Sequence, residues 1–494
     1  MKRWTIVLGT SAALLAASGC SHLSLDLPGS LAAGSTFGAP FETEVPAWEL
    51  PPPPPKEAPI TQPGALARFE LENGLLGIVL RDKRLPQVVL GLSVRRGSGS
   101  EPVAQAGLAA LTAEVMERGA GDRDALELAQ LVDGIGANFA VNSNWDSMVV
   151  RIGGLSRDMD AFFEVLGDVV LRPRFDAAEV TKAREEKLAA LEQAKDDPRT
   201  LVGWYATRAV YGDHRYGTPS GGNAETVRAL DVAALRAFHA RNFVASNAVV
   251  FAAGDVDAAD FERRVRATFG GWETGEIPAA VEAPPAQAPA ARKIVIVDKP
   301  DLRQARIIVI HEGLSRTDDR RVAAGLANDV LGGGGFSSRL MKSIRSDAGL
   351  TYGVYSGFGL RRQPGPFSTN TFTQVPQVRQ ALDLVLDELD RMRSEPPDEE
   401  EIAKAKSLRV GRFGLGLETS GAVVNSLVDL EVHGLPEDAL DTFRSKVRAV
   451  GPAQVAELSR ALIHPDRAAI VLLGPADELV PLVEDLGPVE VVQP

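Results

Sequence analysis

The sequence predicts an α+β protein of two homologous domains, each a mostly antiparallel sheet with helices on one face. Three observations predict it. The chain has 494 residues, too many for one ordinary core. A low-complexity stretch near its middle, EIPAAVEAPPAQAPAA, has neither helical nor strand period. The halves on either side of that stretch open and close alike.

The first half opens with FELENGLLGIVLRD, whose Asn73-Gly74 marks a hairpin turn. The strand QVVLGLSV follows, and then a helix from Gly107. This half ends with SNAVVFAAGDVDAADFERRVRATF, a strand, a Gly-Asp turn and a helix. The second half opens with KIVIVDKP and ARIIVIHEG, and a helix spans about Arg321 to Leu331. It ends with RAAIVLLGPADELVPLVEDL, again strand, Gly turn and helix. Gly107 to Gly254 and Arg321 to Gly474 are nearly equal in length, which fits a duplicated unit rather than a short-period solenoid. Between these landmarks lie long amphipathic helices, Ala177 to Lys195 and Val378 to Arg393.

The expected boundaries are 1–20 for a signal peptide, 21–64 for a Pro-rich tether, 65–275 for the first domain, 276–293 for the linker and 294–494 for the second domain. Met1-Lys2-Arg3 is a positive n-region, and Trp4 to Ala17 is a short apolar h-region. Ser18-Gly19-Cys20 then reads as a lipobox, so Cys20, the only cysteine, is the expected lipidation site. A plain cleaved signal with an incidental Cys is the alternative. Acyl chains there would anchor the chain, each buried methylene adding about 0.8 kcal/mol. Ser21 at the next position implies a bacterial outer-membrane lipoprotein facing the periplasm. The run Pro51 to Pro55 favours a stiff polyproline spacer.

Apolar residues make up 45% and charged residues 24%, the globular range. The net charge of −13 argues against a nucleic-acid partner, because phosphate contacts need clustered Lys and Arg.

The sharpest local pattern is LGGGGFSSRLMKSIRSDAGLTYGVYSGF, from Leu331 to Phe358. Gly332, Gly333, Gly334 and Gly335 are not a phosphate loop, since no Gly-Lys-Ser/Thr follows. They offer bare backbone that another chain can approach, or simply a flexible turn between helices. Ser338 to Arg345 reads as a helix stopped by Gly349. Arg345 and Tyr352 could jointly hold a carbonyl or carboxylate; the plainer reading of Arg345 alone is a solvated helix face.

With its Gly-rich turn, Ser-Arg-Leu, Arg345 and Gly-Leu-x-Tyr, this segment resembles the C-terminal domain of the pitrilysin/insulinase family of zinc peptidases. ENGLLGIVLRD, RRGSGSEP, the KDDP at Lys195 to Pro198, YGDHRYGTPSGG and RNFVASNAVVFAAGDVD follow in family order, over about residues 65–480. The resemblance implies a clam-shell of homologous α+β domains around a chamber, which binds peptides as an added strand.

Active members of that family carry H-x-x-E-H on the helix after Gly107. Two His bind Zn²⁺, the Glu is the general base, and a later Glu is the third ligand. The matching residues here are Ala110, Ala113 and Glu114, with Ala190 at the later position and Glu185, Glu186 and Glu192 nearby. Alanine has no lone pair, so no metal is expected on this chain. The six histidines, His22, His214, His239, His311, His433 and His464, include no pair at helical spacing. No Gly-x-Ser-x-Gly elbow supplies another nucleophile.

The resemblance thus implies a non-catalytic subunit that grips unfolded peptides with Arg345, Tyr352 and the glycine loop. The expected partner is a homologous H-x-x-E-H-bearing subunit that holds the zinc. Two alternatives stand beside it: an outer-membrane scaffold or binding lipoprotein, and a zinc peptidase with rearranged ligands.

Overall fold

The computed structural model describes residues 59–61, 64–277 and 291–494. Cys20, His22, the signal segment, nearly all of the Pro-rich stretch and most of the linker lie outside them.

The first sheet contains β1 (Leu66–Glu70), β2 (Leu76–Arg81), β3 (Gln87–Val94), β6 (Asn138–Ser143), β7 (Met148–Leu155) and β8 (Ala248–Gly254); β4 (Gly119–Ala120) and β5 (Arg123–Asp124) make a separate small hairpin. The second sheet contains β9 (Lys293–Asp298), β10 (Gln304–Glu312), β11 (Tyr355–Phe358), β12 (Pro366–Gln374), β13 (Ala469–Gly474) and β14 (Val489–Val492). Their orders are β1-β2-β8-β3-β7-β6 and, read from the matching end, β14-β9-β13-β10-β12-β11. The last five positions in these orders correspond one to one. In each domain the first of these strands in the chain runs parallel to the last, β2 with β8 and β9 with β13, while the remaining pairs among them are antiparallel. The duplication is therefore topological as well as sequential. Only the outermost strand differs: β1 is hairpinned to β2 and antiparallel, whereas β14 arrives from the C-terminus and is parallel to β9.

The hairpin turns at Asn73-Gly74, where Gly74 takes φ +84°. The Asn73 amide donates to the Phe269 and Trp272 carbonyls, tying the turn to the end of the first half.

Each domain packs its own helices on one face. In the first, Val88, Leu90, Leu92, Val150 and Ile152 meet Phe162, Val169, Phe261 and Val265. The opposite faces are covered by exchange. The helix Pro198–Tyr211, from the first half, lays Leu201, Val202 and Val210 on Val295, Val297, Ile308, Val471 and Leu473 of the second sheet. The helix Ser420–His433, from the second half, lays Val423, Val424, Leu427 and Val428 on Ile78, Leu80, Val249 and Phe251 of the first. Burial on both faces explains why KIVIV and AVVFAA read as unbroken apolar runs instead of alternating ones. Each buried Val or Leu contributes roughly 1.5–3 kcal/mol. The exchange makes Glu57–Pro494 one compact unit. Local signals set the exchanged helices: Asp197 caps the first, with Pro198 at its first position, and Thr419 caps the second, which Gly434 ends at φ +64°.

Candidate functional site

The helix Leu108–Met116 carries the altered peptidase positions and has no capping side chain of its own. Gly107 precedes it at φ +96°, and a Cβ there would stand 2.6 Å from the Gly221 carbonyl oxygen. Its first N–H groups are taken from a distance. Glu101 accepts from Gly107 N at 3.0 Å and from Ala109 N. The same carboxylate meets Arg215 Nη2 at 2.7 Å, and neither side chain is reached by solvent. Arg215 also donates to the Thr218, Pro219 and Ser220 carbonyls. Burial pushes the Glu101 pKa up to about 7, opposed by Arg215 and the two backbone donors. A buried ion pair thus joins RRGSGSEP, YGDHRYGTPSGG and the helix start. Sequence reasoning quoted both segments but did not pair Glu101 with Arg215; the missed signal was two charges inside small-residue loops.

On this helix Ala113 is buried, Ala110 is half-buried and Glu114 faces the later helix Ala177–Ala194. Ala190 is exposed on that helix. Glu114 is held by Arg118 at 2.9 Å; Arg118 also reaches Glu186 at 2.6 Å and Glu179 at 3.8 Å. One guanidinium therefore links the helix that carries Ala110, Ala113 and Glu114 to the helix that carries Ala190. These residues do not fit zinc: three of the four positions are methyl groups, and the fourth is a carboxylate already engaged by a cation. Among the described residues no cluster of His, Cys, Asp and Glu is arranged to hold a metal. The next residue, Glu117, accepts the Val141 N–H of edge strand β6 at 2.5 Å.

The described histidines have other employments. His239 stacks on Phe243 and bonds the Val170 carbonyl, while His214 meets Gln363 and accepts from Tyr216 N. His311 and His464, far apart in sequence, come together: His464 N donates to His311 Nε2 at 3.1 Å. His433, at the end of an exchanged helix, lies 3.2 Å from Asp146 of the first domain and 3.1 Å from Asp429. Burial opposes its charge, but the two carboxylates outweigh it and raise its pKa to about 9.

In the second domain the glycines do not make a loose loop. The helix Arg321–Asn328 widens into a π-helical turn over Asp329–Gly333. A Cβ on Gly332 would lie 2.4 Å from Ser356 Oγ, one on Gly333 2.5 Å from Asn328 Nδ2, and one on Gly334 2.3 Å from the Asp329 carbonyl oxygen. Close internal packing thus accounts for three of them, and Gly332 is buried. Gly335, at φ +71° with open space around it, makes the turn to Phe336. The expected helix over Ser338 to Arg345 is another π-helical stretch, Met341–Asp347, and Gly349 ends it at φ +66°.

Arg345 projects from this stretch and lies over the Phe336 ring at 4.4 Å. Phe336 is 69% exposed and Tyr352 79%, and Tyr355 on edge strand β11 is exposed too. Among the described residues neither the Arg345 guanidinium nor the Tyr352 hydroxyl has a hydrogen-bond or ion-pair partner, so no hydrogen bond joins them. Both polar heads remain available to a ligand.

Two interlocked domains of one topology, with a peptidase-type helix whose metal positions read Ala110 and Glu114, define a class: a metallopeptidase fold whose usual zinc positions carry no matching ligand set. The model described as Insulinase (Peptidase family M16) matches residues 78–222, and that described as Peptidase M16 inactive domain matches 229–409. The chain belongs to this pitrilysin/insulinase family. A zinc protease of Streptomyces coelicolor is 28% identical, over 83% of this chain and 90% of its own. One of Mycobacterium tuberculosis is 26% identical, over 85% and 96%. A crystal structure described as a peptidase M16 inactive domain from Pseudomonas fluorescens superposes with TM-score 0.77 at 28% identity, covering 83% of this chain and 98% of that one. A Helicobacter pylori protease shares the fold, with TM-score 0.76 at 16% identity, covering 83% and 99%.

Proposed function

We propose that this chain is the non-catalytic, substrate-gripping subunit of a two-chain M16-type peptidase that degrades unfolded peptides in the bacterial periplasm. Lipid on Cys20 holds it to the outer membrane, and the Pro-rich segment spaces the domains 65–275 and 294–494 from that surface. The observation that carries the reading is a division within one chain. The metal and base positions are Ala110, Ala113, Glu114 and Ala190, while half-buried Arg345 and exposed Tyr352 have no internal hydrogen-bond or ion-pair partners among the described residues. A partner bearing H-x-x-E-H supplies the zinc, and this chain supplies cation and hydroxyl to the peptide backbone.

Co-purification from the native host, followed by peptidase assay with and without chelator, tests this. The expected result is a homologous zinc-bearing partner and chelator-sensitive cleavage that neither chain performs alone. Chelator-sensitive cleavage by this chain alone would overturn the reading. A scaffold or binding lipoprotein is the second reading, favoured by the Glu117 carboxylate on the Val141 N–H, which occupies a donor that an added strand at β6 would need. Recovery of a non-peptidase partner only, with no cleavage, would support it.

A further inference from the structure

A cleft of about 670 Å³ lies between the end of the first sheet and the start of the exchanged helix Ser420–His433. Its size is that of a ligand pocket, and junctions between domains are where such pockets form. Arg151 lines it. On β7, Met148, Val150 and Ile152 are buried in the core, so by the alternation of the strand Arg151 stands on the opposite face. Its guanidinium lies against Gly421, where a Cβ would come within 3.5 Å of Nη2. Arg151 is half-buried, yet among the described residues no hydrogen bond or ion pair reaches it. Other arginines withdrawn from water have a partner of one kind or another: Arg215, Arg409 and Arg339 meet Glu101, Asp329 and Glu401, while Arg306 and Arg361 lie over aromatic rings. A cation removed from water without a counter-charge is costly, and an anionic ligand removes that cost.

We propose that this cleft binds the α-carboxylate of a peptide ending in an apolar residue, with Arg151 as its cationic anchor. The other walls choose that class. Leu85, exposed at the rim, with Val89 and Ala253 makes an apolar surface for a side chain. Asp82 and Glu418 also line the cleft, and a multiply charged anion such as a phosphate would meet both. Asp82 is occupied by Arg84, at 2.8 and 2.6 Å, so that pair leaves no cation for a second ligand charge. A single carboxylate matches a single free guanidinium. At Gly421 a Cβ would already be in ordinary contact with Arg151 Nη2, so a branched side chain reaching further would crowd the guanidinium.

The proposal rests on the reading that this chain handles peptides, but its test needs no partner. Full-length chain, purified alone in detergent, is titrated with a fluorescein-labelled Gly-Ser-Gly-Ala-Leu peptide carrying a free C-terminus, and with its C-terminal amide. The acid binds at least tenfold more tightly than the amide. Arg151→Gln abolishes the difference, Arg151→Lys keeps part of it, and Gly421→Val weakens acid binding with Arg151 intact. Equal binding of acid and amide, no binding of either, or discrimination that survives Arg151→Gln overturns the proposal. If no peptidase partner exists but acid selectivity is found, the subunit reading falls and the cleft stands. If the complex cleaves peptides without acid selectivity here, the cleft falls alone.

Discussion

Glu101 Oε2 lies 2.7 Å from Arg215 Nη2, with both side chains shut away from solvent, at the N-terminus of the helix Leu108–Met116. Removing either partner leaves the other buried with its charge unmatched, which typically costs about 3–5 kcal/mol. Glu101→Ala also strips Gly107 N and Ala109 N of their acceptor. Urea denaturation of Glu101→Ala should therefore show a loss of that order, and Glu101→Gln, which keeps a carbonyl oxygen, a smaller one. In the double variant Glu101→Leu/Arg215→Leu the loss should fall well short of the two single losses added together. Full additivity would mean that the two side chains act independently.

The His433–Asp146 contact crosses between the domains, and its pH dependence has a definite sign. The folded pKa of about 9 is above the ordinary histidine value of 6.5. The contribution is thus fully present below about pH 6.5 and is lost as pH rises through 9. Allowing for solvent screening, it amounts to about 1–2 kcal/mol. Thermal melts should show stability falling from pH 7 to 9 in the wild type, and a flatter profile in His433→Gln. Parallel profiles would remove His433 as the titrating group.

How much of this was legible in the sequence differs by element. The duplicated sheets were, because strand, turn and helix recur in order around Gly254 and Gly474 and need only local periodicity to be seen. The alanines at 110, 113 and 190 were legible by contrast with a motif. The helix exchange was not. Pro198–Tyr211 and Ser420–His433 carry their apolar faces like any core helix, and nothing local says which sheet receives them. The glycine run was visible, but its cause was not: Gly332 is small because Ser356, distant in sequence, packs against it. Arg151 and its cleft were invisible for the same reason, since both depend on where the exchanged helix starts.

Arg118 holds Glu114, one of the four metal and base positions, and ties it to Glu186 on the helix that carries Ala190. The quadruple variant Ala110→His/Ala113→Glu/Glu114→His/Ala190→Glu supplies the family's ligands but leaves Arg118 beside Glu186. A fixed positive charge there repels Zn²⁺. Adding Arg118→Ala should raise zinc affinity at least tenfold, as read by competition with a chelating dye. Equal affinities in the two backgrounds would show that Arg118 does not guard the site.

Arg345 and Tyr352 offer the most direct test of the gripping role, because their loss should leave the fold alone. The Arg345 guanidinium lies over the exposed Phe336 ring and, like the Tyr352 hydroxyl, has no hydrogen-bond or ion-pair partner among the described residues. Surface substitutions of this kind change stability by about 0.5 kcal/mol or less. Arg345→Ala should lower kcat/KM of the reconstituted peptidase by about tenfold or more, since a charge-assisted hydrogen bond contributes about 1.5–3 kcal/mol. Tyr352→Phe, losing one neutral hydrogen bond of about 0.5–1.5 kcal/mol, should cost less. Melting temperature and subunit co-elution should stay as in the wild type. Phe336→Ala frees the Arg345 guanidinium from its ring and should produce a smaller loss with the same unchanged assembly. If both the Arg345 and Tyr352 variants cleave peptide at the wild-type rate with the partner present, these two residues do not hold substrate and the Arg345–Phe336 stack is only a local packing feature.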